Sequence, residues 1–218
     1  MIISYIFHAL NFSTLFFIFM ILILVVNNGV NNKKTLLFLI FLIDNFLCIL
    51  FFTAENLAFH LDTALIFAKL TFATLCFFPV LLLLLVLEVI NQNQEKKPYS
   101  WLKFLFFLPS LFFIIAVLLK KYTVSVISIY NGYYVKIHAF STFFVLFQLV
   151  YTILSVMLLY YFIKKKKTDN FKRKELYFLF IGFSFPLIYM VIIAGLQIAG
   201  YIKNYLLEIL KIIVFFCC

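Results

Sequence analysis

Few residues in this chain could do chemistry: of 218, only eight are Asp or Glu and three are His. Asp44 is the most informative of them. It lies inside an apolar run that follows Lys34, about 14 Å along a helix at 1.5 Å per residue. A carboxylate near the centre of a membrane helix costs roughly 2.5–3.5 kcal/mol on insertion scales, so it belongs on the interior of a bundle. With Asn45 beside it, Asp44 reads either as a ligand, ion or switch residue or as a structural hydrogen-bonding partner between helices. A second polar group comprises Glu55 and His60, with His138 on the same side at the entry to a later helix. These three read as a pocket mouth, with proton response through imidazole, or as ordinary interfacial polarity.

Other chemistry is excluded by what is missing. The chain has no G-x-S-x-G, H-E-x-x-H or phosphate-binding glycine loop and no carboxylates paired at a fixed helical spacing, so no catalytic residue is assigned. Cys48 and Cys76 lie in apolar runs, Cys217 and Cys218 come last, and no Cys/His set has metal-ligand spacing. No metal or cofactor is expected. A Schiff-base role for Lys211 is less economical than a pair with Glu208 one turn earlier.

The elements that must position these residues are membrane spans. Hydrophobic residues make up 67% of the chain and charged ones 12%, against about 45–50% and about 25% in a globular protein. Mean hydropathy is +1.16. Crossing the hydrocarbon takes about 20 apolar residues. Six runs qualify, at 5–26, 35–57, 65–90, 101–119, 139–163 and 176–199, and a shorter seventh occupies 205–218. The expected fold is an all-α integral membrane bundle of seven helices, the last one cut short. The whole chain, 1–218, forms one domain that reads as the front of a longer protein. Pro79 and Pro186 fall inside the third and sixth helices and should bend them.

Net charge is +10, but the basic residues sit between apolar runs rather than on one face, which argues against nucleic acid as a partner. Twelve of the eighteen belong to the first, third and fifth loops, and seven of those are Lys164, Lys165, Lys166, Lys167, Lys172, Arg173 and Lys174. By the positive-inside rule these anchor the odd loops in the cytoplasm and put the amino terminus outside a cell membrane. In the longest outer loop, β-branched residues alternate with Ser before Asn131-Gly132, which predicts a short extended segment and turn.

Two stretches resemble the amino-terminal seven-transmembrane sensor region of bacterial histidine kinases. One runs through Glu55-Asn56-Leu57-Ala58-Phe59, then Ala64 to Leu70, then Phe78-Pro79-Val80-Leu81-Leu82. The other joins Trp101 and Leu108-Pro109-Ser110 to the approach Asn131-Gly132-Tyr133-Tyr134-Val135-Lys136-Ile137-His138. The resemblance implies a sensor without catalysis of its own. It would detect a small molecule or a membrane state and relay it to a cytoplasmic kinase or cyclase output domain, in cis or in trans. Its partners would be the lipid bilayer, that output domain and, as an assembly, a homodimer. A small polytopic transporter or channel subunit is the alternative reading.

Overall fold

The computed structural model describes residues 2–30, 32–91, 105–118, 124–129, 132–137 and 141–165, together with single helical positions at 176, 177, 180, 181 and 184. Five helices and one hairpin occupy them: α1 (Ile2–Asn27), α2 (Lys33–Leu57), α3 (Leu61–Asn91), α4 (Leu108–Leu118), β1 (Val124–Ile129), β2 (Gly132–Ile137) and α5 (Ser141–Lys165). Four helices, α1, α2, α3 and α5, are long and apolar enough to cross a bilayer. The expected sixth and seventh helices, with Pro186, lie outside the described residues apart from those single positions.

Local chemistry sets the helix ends. Gly29, at φ 82°, stops α1 in the left-handed region that glycine enters without strain. Three residues on, the Asn32 side-chain oxygen accepts from the Thr35 N–H at 2.8 Å and from the Thr35 hydroxyl at 2.9 Å, capping α2. Lys33 and Lys34 are therefore the first residues of a helix rather than loop residues. At the other end of α2, the Ala58 N–H bonds to the Glu55 carbonyl at 3.3 Å. α3 then starts at Leu61, four residues before the apolar run suggests. Asp62 stands in its first turn, where the helix dipole favours a carboxylate.

The fourth helix was expected from residue 101; residues 101–104 lie outside the described residues, 105 is helical, a turn interrupts at 106 and 107, and α4 runs from Leu108. Pro109 suits its first turn, where a residue without an N–H leaves no intrahelical acceptor unserved. Between α4 and α5 the expected extended segment is strand β1, and a second strand pairs with it antiparallel from Val124↔Ile137 to Ile129↔Gly132. Gly132 opens the second strand, and the connection falls at 130–131. Strand β2 lies against α2 and α3.

α3 is the core of the bundle. Its apolar window is 61% buried, against 17, 22 and 28% for α1, α2 and α5. Phe72, Cys76, Val80 and Leu84 recur every four residues, forming a ridge that packs on Phe113 and Val117 of α4 and Phe144 and Phe147 of α5. Nearer the other end, Val86 and Ile90 pack on Leu159, Ile163 and Leu176. These pairings advance in the same direction along α3 and α5, so the two helices run parallel. The rings of Phe41 and Phe78, 5.3 Å apart, and of Phe51 and Phe67, 6.4 Å apart, set α2 antiparallel to α3.

Lipid supplies no hydrophobic drive between helices, so dispersion and ring contacts must hold them. Phe144 touches Phe72 at 4.5 Å, Phe113 at 5.6 Å and Phe147 at 6.3 Å between ring centroids. Phe144→Ala should lower unfolding free energy by about 3 kcal/mol, while the same change at lipid-facing Phe143 should cost under about 0.5 kcal/mol. Denaturant titration of the two variants in micelles checks this contrast.

Candidate functional site

Pro79 sits inside α3 with its ring fully buried. Proline has no N–H, so the carbonyl four residues back, that of Leu75, loses its intrahelical donor. In hydrocarbon no water replaces it. The replacement comes from α5, where the Gln148 amide Nε2 donates to the Leu75 carbonyl at 3.2 Å. The next carbonyl, that of Cys76, receives the Ser110 hydroxyl of α4 at 2.7 Å. One proline thus draws side chains from two other helices onto adjacent backbone oxygens of α3. A third tie, from the Tyr151 hydroxyl to the Phe106 carbonyl at 3.2 Å, links α5 to the start of α4.

Asp44 comes to the same level from α2. Antiparallel pairing through Phe41 and Phe78 sets it opposite residue 75, and its carboxylate interacts electrostatically with Cys76. It is nine-tenths buried, and its Oδ2 has no hydrogen-bond partner. Asn45 turns its amide back to the Phe41 carbonyl at 2.7 Å on its own helix, so it is spent locally. By the register of the helices, Asp44, Cys76, Ser110 and Gln148 share one level from four helices around Pro79, midway along α2 and α3.

Two members of the second expected group fall within the described residues. Glu55 is buried in the last turn of α2, whereas His60 is exposed in the connection to α3. His138 lies outside the described residues. Of the expected anchors, Lys164 is exposed, and both it and Lys165 prolong α5 rather than standing in a loop; 166, 167 and 172–174 lie outside the described residues. Among the described residues, no three His, Cys, Asp or Glu side chains gather as metal ligands. A groove of about 370 Å³ at the α1–α2 turn, lined in part by Asn28, Asn32, Lys34 and Thr35, was not foreseen.

Sequence reasoning also missed Ser110 and Gln148. A signal for them existed: a proline at the middle of a spanning helix leaves a carbonyl that some neighbour must serve, and Gln148 is an amide in an otherwise apolar run. Which helix would supply the donor was not readable from spacing.

A family model described as the N-terminal 7TM region of histidine kinase matches residues 9–211. That covers most of the chain, and the protein belongs to this family of multi-pass membrane sensor regions. No curated protein matches it.

If Gln148 serves the oxygen that Pro79 leaves, the two residues are coupled. Gln148→Leu should cost about 1 kcal/mol of stability, and Pro79→Ala, which restores the N–H, should abolish most of that cost. A double-mutant cycle in micelles reads the coupling. An equal cost in both backgrounds would show that Gln148 has another role.

Proposed function

We propose that this chain is the sensing half of a membrane signalling receptor: a seven-helix bundle in a cell membrane, with its amino terminus outside. The family match over residues 9–211 carries the reading. It does no chemistry of its own. A small molecule or a membrane state favours one of two bundle packings, and the change passes to a cytoplasmic output domain, a kinase or a cyclase, in cis or in trans. Such a ligand must bind one packing better than the other, or nothing shifts.

Two features support this. The polar layer at Pro79 ties α3, α4 and α5 at one level, so a local change there reaches three helices at once. The alternating directions of α2, α3 and α4, with α5 parallel to α3, agree with a chain threading back and forth and with the hairpin between α4 and α5 on the outer side. On that topology, a membrane-impermeant maleimide should label Ser128→Cys on intact cells, and Lys164→Cys only after lysis, each compared with the parent chain.

Relay is tested by fusing the full chain to a cyclase reporter. Gln148→Leu or Pro79→Ala should change reporter output about threefold or more, a shift of under about 1 kcal/mol between packings, with membrane insertion unchanged. Output identical to wild type in both variants would sink the sensor reading.

A further inference from the structure

Hydrogen-bond accounting at the polar layer leaves a surplus of acceptors. The Gln148 amide and the Ser110 hydroxyl are both engaged, on the Leu75 and Cys76 carbonyls. Asp44 Oδ2, on the turn of α2 set opposite residue 75 by the Phe41–Phe78 pairing, is buried and without a donor. An ionised carboxylate can only accept hydrogen bonds, and the two donors just named are directed to other oxygens.

No cationic side chain reaches this level among the described residues. On α2 the Cys48 thiol lies one turn from Asp44, and the charged groups are Lys33 and Lys34 at one end and Glu55 near the other, each about 15 Å away along the helix. α1, paired to α2 through Phe19 and Phe46 at 6.4 Å, offers His8, which falls level with the far end of α2. α3 offers Cys76 in the layer, Lys69 about two turns away, Glu88 about three and Asp62 about four. α4 carries no charged residue, and α5 has Tyr151 near the layer, with Tyr160, Tyr161, Lys164 and Lys165 toward its end. From the hairpin, Lys136 and the tyrosines of β2 belong to the end where α2 meets α3.

We propose that Asp44, with the Leu75 and Cys76 carbonyls and the Ser110 oxygen beside it, forms an intramembrane site for a small monovalent cation, either a proton or sodium. Carboxylate, carbonyl and hydroxyl oxygens are the donor set that hard cations take, and an ionisable residue inside a membrane bundle marks such a pathway or switch. The site stands whether or not the chain signals; if it does signal, the cation is its input or its bias.

The test is the melting temperature of the purified full chain in lipid nanodiscs. It compares sodium chloride with choline chloride at equal ionic strength, at pH 5.5 and at pH 8.5, for wild type and Asp44→Asn. A sodium site raises Tm with sodium at pH 8.5 by mass action, and Asp44→Asn removes the response. A proton site raises Tm from pH 8.5 to pH 5.5 in either salt, and Asp44→Asn flattens the rise. A wild-type Tm indifferent to both sodium and pH overturns the proposal, even if the variant does not fold. A flat Tm together with altered reporter output in the joint variants would remove the site and leave the sensor reading standing.

Discussion

Inside a bilayer each backbone carbonyl must find a donor within the protein, and at Leu75 the helix cannot provide one. That deficit, created by Pro79, organises the centre of the molecule. An unserved buried carbonyl costs about 1–3 kcal/mol, enough to select for a neighbour that answers it. Gln148 answers from α5, and Ser110 on α4 serves the next oxygen. The aromatic packing of Phe72, Phe113, Phe144 and Phe147 then closes one side of the contact. α3 is consequently the helix against which α2, α4 and α5 all pack.

Elsewhere the buried hydroxyl side chains bond within their own helix, whereas the Asn11 amide Nδ2 on α1 has no hydrogen-bond partner. Thr14, Thr53, Thr71, Thr152 and Ser155 each bond a carbonyl four residues back on their own helix, at 2.8 or 2.9 Å, and the Asn45 and Asn56 amides do the same at 2.7 Å. Such local bonds make hydroxyls and amides tolerable in hydrocarbon without specifying a partner. The bonds to Leu75 and Cys76 differ because they cross between helices. They fix which helices meet and at what height, a specification that the uniformly apolar faces of Leu, Ile and Phe cannot supply.

The legibility of this structure follows the same division. Spanning helices were readable because composition and run length decide them, and strand β1 was readable from alternating β-branched residues ahead of Asn131-Gly132. Asp44 stood out because its expense in lipid is a property of one residue. The turn at 106 and 107 went unread because hydropathy is blind to a break inside a continuous apolar run. Ser110 and Gln148 were missed for a deeper reason: each matters only through an oxygen 34 or 73 positions away, and no local pattern encodes such a pairing. The contrast between buried Glu55 and exposed His60 likewise depends on where α2 ends, a matter of capping rather than of distance along the chain.

The unequal division of α3 by Pro79 also has a mechanical side. Counting from the proline, one arm runs back to Leu61 and the other forward to Asn91, about 27 Å and about 18 Å at 1.5 Å per residue. A change of about 5° at the fulcrum would swing the longer end by about 2.4 Å and the shorter by about 1.6 Å, the scale at which packed interfaces jump between discrete arrangements rather than deform. The longer arm ends where α2 turns into α3, the end at which the hairpin's second strand rests, and the shorter is gripped through Val86 and Ile90 by the far end of α5. Pivoting at Pro79, the third helix would act as a lever with geared-down travel, trading a larger excursion at one end for a smaller, firmer displacement at the other.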